Sequence, residues 1–293
     1  MALTLQRATL TGLCAIVLWS TTVGLIRTIA ESLGATGGAA MIYSASALFL
    51  CLAGGFPRWR NLSPRYLWCG GTLFVSYEIC LAISIGLAHT RPQALELGMI
   101  NYLWPSLTLL FAIPLNQQRF RWWLWPGLAL AVAGIIWVLK GESAWTPRLL
   151  WHNVMDNPVA YGLAFFAAIA WALYNNVTRR YAGGQSGITL FFLITAIALW
   201  IKFAVNGQPP MHFSPLVITE VLFMAASTAI AYSAWNRGIQ HGNMTLLATA
   251  SYFTPVFSAL LASLWLQLTP SFSFWQGVIM VTLGSLICWR ATR

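Results

Sequence analysis

Charge is what this chain has least of. Only 8% of its 293 residues are Asp, Glu, Lys or Arg, against the roughly 25% usual in soluble domains. A water-facing surface cannot be assembled from that inventory. Acidic residues number six in all, so any one of them inside an apolar stretch stands out. The five cysteines, Cys14, Cys51, Cys69, Cys80 and Cys288, include no Cys-x-x-Cys pair and lie in or beside apolar segments. They read as small buried hydrophobes, neither a disulfide frame nor a metal site. The four histidines lack zinc-ligand spacing. A Gly-rich phosphate loop is missing too, which excludes a primary pump within this chain. No cofactor or metal is expected.

What the chain has instead is hydrophobic length: 58% of its residues are apolar or aromatic. Runs of about 20 such residues, enough to cross a hydrocarbon core of about 30 Å, recur from end to end. Ten spans are predicted, at 8–29, 36–55, 66–88, 93–115, 121–140, 158–181, 185–205, 214–238, 243–266 and 271–291. The connections are short, the longest being 141–157, and leave no room for an extramembrane domain. The first span exceeds a signal-peptide core and lacks a clear cleavage site, so it is expected to be retained. With the N-terminus inside, eleven of the sixteen Lys and Arg fall in cytoplasmic segments and five on the outer side. That is the bias of the positive-inside rule. The net charge of +10 therefore sets topology, with both termini cytoplasmic and a lipid bilayer, not a nucleic acid, as the surroundings.

The chain is also written twice. Trp19 and Arg27 recur as Trp171 and Arg179, at an offset of 152; Tyr102 and Pro105 recur as Tyr252 and Pro255, at 150. Trp125, Gly127 and Gly134 recur as Trp275, Gly277 and Gly284, again at 150. Such pairs, in order and at nearly constant offset, indicate an internal duplication. The two copies, 1–145 and 146–293, hold five spans each. Five is odd, so the second copy enters the membrane upside down. Inverted repeats characterise secondary transporters, with the substrate site near the midplane between the halves.

The fourth span of each copy carries a proline, in "NYLWPSL" (101–107) and "SYFTPVF" (251–257). Proline in a helix interior costs about 3 kcal/mol and frees the carbonyl four residues earlier. That carbonyl belongs to Asn101 for Pro105 and to Ser251 for Pro255. The duplicated kink predicts hinges at Pro105 and Pro255; a static bend is the plainer alternative. Gly98, Asn101, Pro105 and Thr108 share one helix face, and Ala248, Ser251, Pro255 and Ser258 occupy the matching places. Such stripes suit close packing or a wet cavity wall. Asn101 is expected to face the cavity, since lipid cannot satisfy its amide.

Sixteen tryptophans are an excess, and many sit at span ends where an aromatic belt explains them. Trp19, Trp104 and Trp171 lie near mid-span, and Trp235 lies deeper than a belt position. Tyr77, Tyr102, Tyr174, Tyr232 and Tyr252 accompany them. Singly these rings are ordinary core fillers. Together they predict a pocket that stacks flat or apolar side chains, and Asn175 joins them as a substrate-binding candidate. Glu78 stands near the centre of the third span, where a carboxyl is costly and functional by default. It could meet a substrate ammonium, exchange a proton, or sit protonated in a structural role. Its repeat-mate is Ile230.

Two five-span repeats, a Tyr-x-x-Pro in the fourth span of each and a Gly-x6-Gly closing helix resemble the drug/metabolite transporter superfamily, EamA type, over the whole chain. The resemblance implies an all-α, ten-helix basket with helices 1, 3, 4, 6, 8 and 9 lining a central cavity. The aromatic candidates would lie on that wall. Helix 1 has no carboxylate like that of the superfamily's small multidrug pumps. Helix 9 lacks the basic clamp of sugar-phosphate relatives. An inventory of amides, hydroxyls, rings and one acid suits neutral or zwitterionic solutes of amino-acid size. The expected function is a secondary transporter exporting amino acids, aromatic ones included, across a bacterial inner membrane by alternating access. The direction comes from the resemblance. An exporter of aromatic or cationic drugs and metabolites is the alternative. An intramembrane enzyme would need a nucleophile or acid/base cluster near one interface, and none is visible. A monomer is compatible with this organisation.

Overall fold

The computed structural model describes residues 5–56, 59–140, 147–205, 207, 210–241, 247 and 250–292. The early part of the expected span 243–266, including Ala248, lies outside the described residues. Among the described residues every regular element is a helix, as a hydrocarbon solvent demands of a chain that must satisfy its backbone internally.

The first span is two helices, α1 (Leu5–Ser20) and α2 (Thr22–Leu33), joined at Thr21. There the Thr21 hydroxyl bonds the Leu18 carbonyl at 2.7 Å. Next come α3 (Ala35–Gly54), a π-turn at Tyr66–Gly70 and α4 (Gly71–Gly86). The fourth span breaks into α5 (Arg91–Asn101) and α6 (Trp104–Asn116). It is followed by α7 (Leu124–Lys140) and α8 (Pro147–Asp156). The second half holds α9 (Pro158–Tyr181), α10 (Ile188–Val205), α11 (Pro215–His241), α12 (Thr254–Trp265) and α13 (Phe272–Ala291). Among the described residues eight helical stretches are long and apolar enough to cross a membrane, and α7 and α12 are shorter apolar helices.

Two features depart from the sequence reading. The connection 141–157 contains a helix, α8, and Asn157 then caps α9 by accepting from the Ala160 amide. More consequentially, Pro105 and Pro255 are not interior helix residues. Tyr102 and Leu103 form a turn, as do Tyr252 and Phe253. Each proline then stands second in a new helix, where its missing N–H and fixed φ cost little. The expected kink is a complete break, and it falls at the same place in both halves.

The core is built from helix pairs that draw one member from each half. α7 packs on α13, α3 on α10, α1 on α11, and α4 on α9; α9 also packs on α6, and α1 and α2 on α12. The α7–α13 crossing is the tightest. A Cβ on Gly134 would sit 2.8 Å from the Gly277 carbonyl oxygen, and one on Gly284 2.5 Å from the Ala131 nitrogen. Only glycine lets the two backbones meet there.

Candidate functional site

The rings singled out from the sequence meet in one cluster. Tyr77 of α4 stacks on Trp171 of α9, with centroids 4.5 Å apart. Trp104, the first residue of α6, meets the edge of Trp171 at 6.3 Å. Trp171 in turn approaches Tyr232 of α11 at 6.3 Å. Tyr232 lies 5.4 Å from Trp19 of α1, and Trp19 lies 5.3 Å from Trp235. Offset and edge-on contacts of this kind contribute about 0.5–1.5 kcal/mol each beyond burial. Trp19, Tyr77, Trp104, Trp171 and Trp235 are half-buried, whereas Tyr232, Tyr174 and Phe74 are buried. The former group keeps part of its surface accessible, and the latter is enclosed.

Phe74 was not anticipated. It touches Trp171, Tyr174, Phe191, Phe192 and Tyr232. Its position one turn before Glu78 on α4 was the available signal.

Glu78 sits beneath the rings at 6% exposure. Its Oε1 accepts from the Tyr232 hydroxyl at 2.9 Å and its Oε2 from the Tyr43 hydroxyl at 2.8 Å. Tyr43, on α3, also reaches the Glu78 main-chain carbonyl at 3.1 Å. Sequence reasoning passed over Tyr43, because the resemblance does not put helix 2 on the cavity wall. Two hydroxyls from opposite halves of the chain therefore hold one carboxyl.

The other candidates are placed more loosely. The Asn101 amide faces the Tyr77 hydroxyl, and its Oδ1 is buried without a hydrogen-bond partner. Tyr102 lines a small cavity with Val23, Leu95, Gly98, Met99, Ser258 and Ala259. Asn175 spends its amide on the Trp171 carbonyl one turn back, at 2.9 Å. Tyr252 packs against Trp289 at 6.3 Å. Among the described residues no group of His, Cys, Asp and Glu has the arrangement of a metal site.

Polar contacts tie segments together at both ends of the bundle. At one, Glu31 joins Arg27 and Arg91, and Arg91 also donates to the Leu266 carbonyl at 3.2 Å. At the other, Asn116 donates to Asn176 at 2.6 Å and Arg180 to the Leu115 carbonyl at 2.5 Å.

Comparison with known proteins gives these features a context. Residues 158–290 match the profile of the EamA-like transporter family. The chain is 55% identical over 291 residues to a protein named aromatic amino acid exporter YddG from Salmonella typhimurium (strain 14028s / SGSC 2262), spanning 99% of each. It is 53% identical, with the same coverage, to the protein of that name from Escherichia coli (strain K12). A third, from Ancylobacter novellus, is 28% identical over 271 residues, 87% of each chain. A solved crystal structure, 24% identical, covers 98% of this chain and 99% of its own, with a TM-score of 0.68. That likeness is one of fold.

Proposed function

The chain belongs to the EamA-like transporter family, and from that premise we propose that it exports amino acids, aromatic ones included, across a bacterial inner membrane by alternating access. It is an integral membrane protein and a transporter, not an enzyme. The relatives named aromatic amino acid exporters supply the substrate class and the direction. The observation that carries the reading is the ring cluster itself. Trp19, Tyr77, Trp104, Trp171, Tyr232 and Trp235 come from five helices on both halves of the chain, and the half-buried faces of all but the buried Tyr232 offer stacking surfaces for a flat side chain.

Ten spans in two inverted repeats, 1–145 and 146–293, complete the proposal. Its support is an exchange of partners. Shifting every residue number by about 150 turns the α1–α11 contact into the α9–α4 contact, and α6–α9 into α12–α1, while α7–α13 and α3–α10 map onto themselves. The broken helices end alike: Gln117 and Gln267, 150 apart, both adopt left-handed φ, 53° and 54°. A second copy that mirrors the first can take up the first's conformation, which interchanges the two openings. Both termini lie in the cytoplasm in this reading. Tyr102 and Tyr252 belong to the two turns, Pro105 and Pro255 are the hinges, and Asn101 and Asn175 add amides to the wall.

The competing exporter of aromatic cations would draw on Glu78 as the cation's partner. Both carboxyl oxygens already accept tyrosine hydroxyls, which favours the amino-acid reading. Purified protein in liposomes should take up labelled tryptophan or phenylalanine down an imposed gradient. Uptake no greater than in empty vesicles would overturn the proposal.

A further inference from the structure

We propose that the broken end of α5 is the subsite for the ammonium group of the transported amino acid, with Asn101 Oδ1 as its first acceptor. The inference rests on the export reading and adds the part of the substrate that rings cannot recognise.

Asn101 is 6% exposed and its Oδ1 has no hydrogen-bond partner. Buried acceptors are paired as a rule, and an orphan needs an explanation. A donor that arrives with the substrate and leaves with it supplies one. The main-chain carbonyl of the same residue is also deprived: Pro105 has no N–H to return to it.

The other half of the chain shows what closing that gap looks like. There the Thr254 hydroxyl donates to the Ser251 carbonyl at 2.6 Å. The residue in Thr254's place in the first half is Trp104, which has no hydroxyl. One break is thus sealed by its own side chain, and the other presents acceptors.

Three further observations point to a cation. Asn101 is the last residue of α5, and a helix C-terminus carries partial negative charge. The nearby carboxylate of Glu78 is engaged at both oxygens, so the uncommitted acceptor is the amide. Asn101 also faces Tyr77, which stacks on Trp171, while Trp104 completes the edge of the same ring. An ammonium held at Asn101 therefore places its attached side chain against the rings. Neutral acceptors suit a carrier, whose ligand must bind and then leave.

The subsite selects aromatic compounds with a protonated amine. Uptake of labelled tryptophan into liposomes, competed by tryptamine and by indole-3-propionate, tests this directly. Tryptamine keeps the ammonium and indole-3-propionate lacks it. Wild type should be inhibited at least about ten-fold better by tryptamine, the scale of one hydrogen bond to a charged group. Asn101→Asp, which keeps acceptors at the site, should retain that preference, and Asn101→Leu should abolish it. If Asn101→Leu does not fold, the wild-type and Asn101→Asp preferences decide. Equal inhibition of wild type by the two analogues, or an undiminished preference in Asn101→Leu, would overturn the subsite alone. A wild type that transports no amino acid would overturn the export reading and the subsite with it.

Discussion

Arg91 grips Glu31 with two parallel bonds, Nη2 to Oε2 at 2.8 Å and Nε to Oε1 at 3.0 Å. Arg27 adds a third at 2.9 Å and also donates to the Ala88 carbonyl. Through Leu266 the same guanidinium of Arg91 ties α5 to the end of α12. Three segments distant in sequence, 27–31, 88–91 and 266, are thus fastened at one end of the bundle. The Arg91 and Glu31 side chains are 42% and 28% exposed, so solvent screening keeps their coupling near about 0.5–1 kcal/mol.

Glu31→Gln should loosen this end without unfolding the protein. A cysteine placed at Leu266, which is buried, in a background freed of the five native cysteines should then react several-fold faster with an impermeant thiol reagent. An unchanged rate would mean that the ion pairs decorate a closure made by packing alone.

The α7–α13 crossing gives a prediction of stability. A Cβ at Gly277 would lie 2.7 Å from the Gly134 oxygen and 2.6 Å from Val138 Cγ2. Gly277→Ala must separate two backbones, and overpacking of that kind costs about 1–3 kcal/mol. Gly162 has open space around its would-be Cβ, so Gly162→Ala should be neutral or stabilising by about 0.5–1 kcal/mol. Melting of the two variants in detergent, followed by size-exclusion recovery, compares them.

Much of this architecture was legible because lipid leaves a chain few choices. Each span needs about 20 apolar residues, and the Gly127/Gly277 and Gly134/Gly284 matches marked the duplication, though not the close crossing that those glycines make. Trp19, Trp104, Trp171 and Trp235 stood out as rings too deep for a belt, and the structure joins them. Tyr43 could not be found this way. Its hydroxyl meets Glu78 only because α3 packs on α4, and no spacing within "IYSAS" encodes that. The Arg27–Glu31 pair was readable as i, i+4, but Arg91 enters from another helix. Proline spacing located the breaks, yet suggested bent helices. The two-residue turns at 102–103 and 252–253 depend on how the following helix restarts.

The ring cluster separates two tryptophans. Trp171 touches Tyr77, Trp104, Tyr174, Phe74 and Tyr232, whereas Trp104 meets Trp171 by its edge. Trp171→Ala should therefore lose stability by about 3–5 kcal/mol as well as transport. Trp104→Ala should lose transport by about ten-fold while staying closer to wild type in melting. Transport rates normalised to the protein recovered in the membrane distinguish the two. Wild-type transport in Trp104→Ala would return that ring to packing.

Removing both Glu78 oxygens and replacing only one of them should differ. Glu78→Leu leaves the Tyr43 and Tyr232 hydroxyls buried without their acceptor, at about 1–3 kcal/mol for each group stranded. Glu78→Gln keeps one acceptor oxygen, so one hydroxyl stays paired and the other can accept from the new amide. Its melting temperature should lie between wild type and Glu78→Leu, and Tyr43→Phe, which removes one donor, should fall in the same interval. A Glu78→Leu variant as stable as wild type would show that the two hydroxyls find other partners.

The last prediction contrasts the two prolines. Pro105→Ala supplies an N–H that can close onto the Asn101 carbonyl, a gain of about 0.5–1.5 kcal/mol. It also frees the unfolded chain, a loss of about 0.4–1 kcal/mol. The terms nearly cancel, so melting should barely move. Pro255→Ala meets a carbonyl already bonded to the Thr254 hydroxyl, so a second bond there gains less and the loss weighs more. Transport should order the pair the other way. Closing the first break covers the acceptors that the substrate needs, so Pro105→Ala should slow tryptophan uptake several-fold more than Pro255→Ala does. Equal effects on uptake would mean that the breaks act only as matched bends, and that the first has no special part in holding the substrate.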